Sequence, residues 1–346
     1  VYNSAFMHML KNEDNAGYRS VVKKTLEFEP QVLKRFVNFM NNPDEETAVA
    51  QFGKHDKYIG VCTMMVTMPG LPMFGHGQIE GFTEKYGMEY RRAYWDEQPD
   101  QHLIERHERE VFPLMRRRHL FAEVGEFLLY DFYTPEGHVN EDVFAYSNRR
   151  GDERGLIIYH NRFAGTRGWI HRSAAVMVRS DGERSLVQRN LAEGLGLNTG
   201  EGYFVVYRDQ RSGLEYLRST AGLNERGLYV ELGAYQCQVF LDFRQFRDED
   251  NQYAALASYL DGRGVPSIQE ALKEVFLQPL HQAWRELVNP RLFGRILDLA
   301  TGSAETAAEP LLDEFEERLR GVFQRMAEFT AGTDGERPAG IAARVR

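Results

Sequence analysis

The sequence predicts an α/β segment, then an all-β segment, then a helical tail. Over residues 1–118, short apolar runs alternate with runs of helical period, the rhythm of a parallel sheet with crossover helices. Over residues 119–247, strand-like runs are separated by glycine-rich turns, the pattern of an antiparallel β-sandwich domain. Over residues 248–330 the helical period returns, and residues 331–346 are polar with Gly and Pro, an end expected to fray.

Each element follows in order. Residues 1–9 are apolar and aromatic and are expected to form a first strand, closed by a polar loop from Asn12 to Asn15. Val21, Val22, Leu26 and Phe28 give residues 18–28 a helical period. Val32, Phe36, Val37, Phe39 and Met40 read as a short helix running into a second strand. Asn41-Asn42-Pro43-Asp44 stops that strand, because Pro removes a donor and Asn and Asp favour turns. A buried helix over residues 55–68 ends at Pro69-Gly70, and residues 71–74 form a third strand before Gly75-His76-Gly77. Residues 99–118 predict one long amphipathic helix with Leu103, Ile104, His107, Val111, Leu114 and Met115 on one face. Polar residues gather after the strand ends, which is where a (β/α)₈ barrel keeps its active site. Strands are then expected at 127–133, 143–147, 155–161, 174–178, 203–208 and 227–232, with turns at Arg150-Gly151-Asp152 and Ser180-Asp181-Gly182. In the tail, Leu311, Leu312, Phe315, Leu319, Val322, Phe323 and Met326 share an apolar face.

Composition narrows the class. With 42% hydrophobic residues the 346-residue chain holds enough apolar surface for two or three packed domains. A net charge of −9 argues against a nucleic-acid partner, which needs a clustered basic footprint. The densest basic run, Arg116-Arg117-Arg118, falls at a predicted helix end, where it suits the helix dipole. Two distant cysteines, Cys62 and Cys237, allow no disulfide framework and suggest a reducing, cytoplasmic setting. The longest apolar stretch, residues 58–71, is interrupted by Gly60, Pro69 and Gly70, so no membrane partner is expected. No signal peptide is recognised, and the start at Val1 suggests processing or truncation of a longer protein.

The chemistry concentrates at two strand ends. Phe36 to Met40 delivers Asn41, Asn42, Asp44, Glu45 and Glu46 at its C-terminal end. Carboxylates so placed suit glycoside hydrolysis, which needs one group to protonate the leaving oxygen and others to stabilise an oxocarbenium-like cation. Here the sequence resembles the α-amylase family of glycoside hydrolases (family 13). That family ends its seventh barrel strand on Asn-His-Asp after an apolar run, and this chain has Asn42-Pro43-Asp44. About thirty residues later, Met68-Pro69-Gly70-Leu71-Pro72-Met73-Phe74-Gly75-His76-Gly77-Gln78-Ile79-Glu80-Gly81 is similar to the eighth-strand pattern Leu-Pro-Gly-x-Pro, apolar residues, Gly-x-Glu. Tyr90-Arg91-Arg92-Ala93-Tyr94-Trp95-Asp96 resembles the loop after the barrel.

The resemblance implies the C-terminal part of a (β/α)₈ TIM barrel over residues 1–118, the family's β-domain over 119–247, and a helical region over 248–330. It implies Asp44 as transition-state stabiliser and Asn42 as a substrate-binding residue that orients it. Gln78 and Glu80 are candidates to line the cleft, and Tyr94 and Trp95 to stack on sugar rings or pack in the core. The expected partner is an α-glucan or oligosaccharide; no cofactor and no metal are implied. Two departures stand out. Pro43 replaces the family His, which hydrogen-bonds the sugar, and Ile79 falls where Glu is common. The family's nucleophilic Asp and acid/base Glu lie on strands four and five, for which this chain has no counterpart. The expected activity is therefore hydrolysis or transglycosylation by a longer protein, with a catalytically inactive carbohydrate-binding or scaffolding relative as the alternative. Three strands cannot close a barrel of about eight, so the missing half-barrel or self-association is expected to cover them.

Plainer explanations exist for other patterns. Asn42-Pro43-Asp44 on its own suits a simple turn. His102, Glu105 and His107 lack the His pair of a zinc helix and suit a solvated face. Gly194-Leu195-Gly196 lacks the βαβ context of a dinucleotide loop, and Gly75-His76-Gly77 has no following Lys-Ser/Thr for phosphate.

Overall fold

The computed structural model describes residues 1–87, 91–180, 183–249, 251–301 and 308–330. The tail expected to fray, Tyr90 of the post-barrel loop, and Asp181-Gly182 lie outside them. The chain forms two compact units, Val1–Ile268 and Gln269–Arg346.

The first unit begins with a helix where a strand was expected. Helix α1 (Ser4–Lys11) is capped by Asn3, whose Oδ1 accepts the Phe6 N–H at 3.2 Å. Phe6, Met7 and Leu10 are its buried residues, a helical spacing that the general apolar content of residues 1–9 obscured. Only Tyr2 keeps strand character, bridging Val37 in parallel. Helix α2 (Asn15–Phe28) matches the expected helix. A 3₁₀ turn (Pro30–Arg35) leads into strand β1 (Val37–Phe39). Short α3 (Ala48–Phe52) and buried α4 (Asp56–Thr67) follow. Strand β2 (Leu71–Met73) then pairs with β1 in parallel, in the register Val37↔Leu71, Asn38↔Pro72 and Phe39↔Met73. Gly70 makes that return possible: at φ +103° a Cβ would stand 2.4 Å from the Phe36 carbonyl oxygen.

The expected long helix over 99–118 is broken. Helix α5 (Gln101–Arg106) passes into a π-helical turn (His107–Val111), then α6 (Phe112–Arg116) and α7 (Arg118–Phe121). Pro113 stands in the first turn of α6, where it withholds a backbone donor and favours the wider turn before it.

The β segment holds more strands than the sequence suggests. Strands β3 (Leu128–Tyr133), β4 (Val143–Arg150), β5 (Glu153–His160), β6 (Thr166–Ser173), β7 (Val176–Ser180) and β8 (Glu183–Val187) precede helix α8 (Leu191–Gly194). Then come β9 (Tyr203–Asp209), β10 (Glu215–Ser219), helix α9 (Thr220–Arg226), β11 (Leu228–Leu232) and β12 (Cys237–Arg247). β6, β8 and β10 went unread because their apolar residues are sparse, and β12 went unread although its apolar residues are many. In β12 the alternation is broken by Asp242 at φ 55°, where the register with β9 shifts.

Eight of these strands form one hydrogen-bonded antiparallel sheet in the order β10-β9-β12-β5-β4-β3-β6-β11, with β7-β8 a separate hairpin. Where a sandwich was expected, strand pairing forms one curled sheet and a separate hairpin. Helix α9 touches β9 and β10 towards one edge and β6 towards the other. Strand alternation serves both faces. Leu129, Phe144, Tyr146, Ile157 and Tyr159 join the core under α1, α2 and α4, while Leu128, Tyr130, Val143, Ala145, Leu156 and Ile158 join a second core with Leu191 and Leu223.

Polar contacts tie the parallel segment to this sheet. Arg19 is 0% exposed and donates to the Tyr130 and Val143 carbonyls at 3.2 and 2.8 Å, and to the carboxylates of Asp131 and Glu141. Asn15 and Asn161 exchange hydrogen bonds, with Tyr159 donating to Asn161 at 2.9 Å. Glu13 accepts from Lys57 at 2.8 Å and Tyr235 at 2.6 Å.

After α10 (Gln252–Leu260), helix α11 begins at Ile268 and runs to Leu287 in the second unit, followed by α12 (Pro290–Ala300) and α13 (Ala308–Thr330). Arg295 pairs with Glu314 at 2.6 Å. Of the apolar face expected on α13, Leu311 and Val322 are buried, but Leu312 and Met326 are exposed. Among the described residues no helix is long and apolar enough to cross a membrane.

Candidate functional site

The two parallel strands end side by side and open their following loops onto one rim. After β1, Met40, Asn41 and Asn42 are buried and Pro43 and Asp44 are exposed. The Asn42 side chain turns the chain: its Oδ1 accepts the Asp44 N–H at 2.9 Å, while its carbonyl accepts from Glu45 at 3.1 Å. This Asx turn holds the Asp44 carboxylate out from the strand end. Gln51 braces the same loop from α3, donating to the Met40 and Glu46 carbonyls at 2.9 and 3.0 Å.

After β2, Gly75 to Gly81 curl back beneath the first loop. Gln78 is 2% exposed; its Oε1 accepts the Gly75 N–H at 3.0 Å and its Nε2 faces Met40 Sδ at 3.4 Å. Gln78 therefore joins the two strand-end loops from below. Glu80 is half-buried, its carbonyl accepting the Asp100 N–H at 2.8 Å. Gly75 packs against Asn41 so closely that a Cβ would stand 2.3 Å from Asn41 Oδ1.

Two carboxylate clasps organise the outer loop. Glu97 accepts the Thr83 and Glu84 N–H groups and the Thr83 hydroxyl, and Glu84 accepts the Tyr94 and Trp95 N–H groups. Burial works to raise the Glu97 carboxyl, but the bonds from Thr83 and Glu84 outweigh it and hold the group below its usual range. The clasps leave the Tyr94 and Trp95 side chains 76% and 58% exposed, so they are presented to solvent and not packed in the core.

Sequence reasoning missed the layer beneath the rim. Asn41 is 1% exposed, yet neither its Oδ1 nor its Nδ2 finds a partner among the described residues. Tyr58, from α4, donates to the Gln78 carbonyl at 2.6 Å and stands 3.0 Å from His107 Nε2. With the Tyr58 proton committed to Gln78, Nε2 of a neutral His107 donates to the phenol oxygen, and Nδ1 is left unpartnered. Desolvation pushes His107 down to about 4, opposed by Glu110 and reinforced by Arg106. The π-turn places this imidazole among Tyr58, Phe74 and Phe112. The sequence set His107 on an apolar helix face and also, with His102 and Glu105, on a solvated one; at 0% exposure it belongs to the first, and the solvated reading fails for it.

No protein-family model matches the sequence, and no curated protein does. Solved structures to which the chain is similar include the α-amylase from Geobacillus thermoleovorans complexed with acarbose. There the identity is 15%, the match covers 65% of this chain and 41% of that one, and the TM-score is 0.39. A noncanonic maltogenic α-amylase from Thermotoga neapolitana shows 11% identity over 68% of this chain and 47% of that one, at a TM-score of 0.44. A cyclomaltodextrinase shows 15% identity over 70% and 36%, at 0.45. The chain spans less than half the length of each.

Proposed function

We propose that this chain carries the rim of an α-glucan site in a glycoside hydrolase or transglycosylase, with Asp44 as the carboxylate that stabilises the oxocarbenium-like transition state. The observation that carries the reading is the shared parallel register of β1 and β2. It brings the Asn42-Pro43-Asp44 and Gly75-to-Glu80 loops to the same end of the sheet, where barrel enzymes hold substrate. Asn42 holds the Asp44 loop, Gln78 locks the two loops together, and Glu80 stands beside them. Tyr94 and Trp95 offer exposed ring faces for sugar stacking.

A retaining mechanism also needs a nucleophile and a proton donor. In this reading both come from barrel strands outside this sequence, and those strands cover the open edges beside Tyr2 and β2. One observation favours a second reading, a carbohydrate-binding relative without catalysis. Exposed Pro43 stands where the family has a hydrogen-bonding His, so no side-chain donor accompanies Asp44 there.

Titrating the full chain with maltoheptaose while following backbone amide signals tests the placement of the site. The expected result is selective shifts at Asn42, Asp44 and Glu80, lost in Asp44→Ala. Shifts confined to other regions would contradict it. Binding with no turnover by the full-length protein would favour the second reading.

A further inference from the structure

The curled sheet carries a feature that the rim does not use. Tyr133 on β3, Trp169 on β6 and Tyr229 on β11 are register partners on three adjacent strands. Paired residues point to the same face, so the three rings form a row across the sheet. All three are open to solvent, at 37%, 37% and 40% exposure, although large aromatics are usually buried where they can be. Trp169 and Tyr229 pack at 4.9 Å between centroids, and the Tyr229 hydroxyl donates to Glu231 at 2.7 Å, which fixes the ring.

Two rings of the row, Trp169 and Tyr229, line a cleft of about 870 Å³ between the sheet edges, walled by α9 and the end of α10. Its volume falls in the range of small-molecule sites, about 300–1,000 Å³. Phe204 and Leu217 give it an apolar floor. Its walls bring Arg226 and Asp261 to the opening, and neither side chain has a hydrogen bond or ion pair among the described residues. Asp261 ends α10 with φ 44° and ψ 48°, a conformation uncommon outside glycine. Arg218 pins the turn by donating to the Gly262 carbonyl at 2.9 Å.

From this we propose that the cleft is a second, non-catalytic binding site for a neutral oligosaccharide. Rings on adjacent strands stand about 4.8 Å apart, close to one pyranose length, and Trp169 and Tyr229, inclined by 55°, can offer one ring face to the C–H face of a sugar with the other ring flanking it. A guanidinium and a carboxylate at the cleft mouth supply donors and acceptors for vicinal hydroxyls. The choice of α-linked glucose as the sugar rests on the function proposed above; the cleft as a sugar site does not.

The test titrates the full chain by calorimetry with maltoheptaose, cellohexaose and xylohexaose, for wild type, Trp169→Ala, Trp169→Phe, Arg226→Ala and Asp44→Asn. Expected is maltoheptaose binding that weakens about tenfold in Trp169→Ala, the loss of one stacked ring. Trp169→Phe recovers most of it, Arg226→Ala weakens it, and the cleft's contribution persists in Asp44→Asn. A preference for another oligosaccharide with the same Trp169 dependence supports the cleft and counts against the reading of the rim. Absence of binding by any of the three sugars, or binding indifferent to both Trp169 and Arg226 variants, overturns the proposal.

Discussion

Where the parallel segment meets the curled sheet, buried polar groups of both are paired; beneath the rim at the strand ends some are not. At that seam Arg19 donates to two carbonyls and two carboxylates, and Asn15 and Asn161 bond each other, although within the sheet Tyr207 Oη and Gln238 Oε1 lack partners among the described residues. Beneath the rim, Asn41 keeps two unpartnered atoms and His107 one, although both residues are buried. An unpaired buried polar group costs about 1–3 kcal/mol, so it persists where packing around it fixes its position. Here that packing is the Gly75 contact for Asn41 and the aromatic ring set for His107. The difference separates a seam whose polar groups join two segments from strand ends that packing holds at a set distance.

Breaking the link between the regions should have the largest effect. Arg19→Leu leaves Asp131 and Glu141 without their buried partner and two carbonyls unsatisfied. A loss of about 3–5 kcal/mol in denaturant-determined stability is expected. A change below 1 kcal/mol would mean that the sheet and the parallel segment hold together without it.

The imidazole under the rim should show itself through pH. His107 has its folded value lowered from 6.5 to about 4, so between those values the unfolded chain binds the extra proton. Its contribution is therefore neutral above pH 6.5, turns destabilising as pH falls, and reaches its limit near pH 4. That limit is about 3 kcal/mol. In His107→Phe this part of the slope should vanish, which stability curves at pH 7, 5.5 and 4 would reveal. An unchanged slope would remove His107 from the account.

A smaller effect sharpens how closely the regions meet. Gly60 of α4 faces Tyr159 of β5, and a Cβ there would stand 2.0 Å from the ring. Gly60→Ala should cost about 1–3 kcal/mol as the ring is displaced, despite the better helix propensity of Ala. A gain in melting temperature would show that α4 and the sheet have slack between them. Asp44→Asn should be the mildest for stability, within about 0.5 kcal/mol, since the carboxylate is exposed on its loop.

How much of this was legible beforehand follows from the physics of each part. Pro69-Gly70 and Asn41-Asn42-Pro43-Asp44 announced the ends of α4 and β1, because Pro and Gly constrain the backbone locally. Helix α2 and strands β3, β4 and β5 showed their periods because one or both faces are buried. Helix α1 was misread because nine residues hold too few turns for a period to stand out from apolar content. Strand β6 hid because charged and polar residues interrupt its few apolar ones, β10 because it is a short edge strand carrying charges, and β12 because its bulge at Asp242 resets the alternation. Asp44, Tyr94 and Trp95, named from sequence as site candidates, are exposed. Asn41 and His107 were placed on their elements, but the buried layer they form with Tyr58 was not foreseen, since it arises from contacts between α4, the π-turn and the strand ends that no local pattern encodes.

The most direct measurement compares α-glucan turnover by the full-length protein with wild-type Asp44 and with Asp44→Asn, at matched stability. Turnover should fall by about 10² or more, the scale of one lost preorganised electrostatic contact, with less change in KM than in kcat. Wild-type turnover in Asp44→Asn would contradict the assignment of the rim as the site of the reaction.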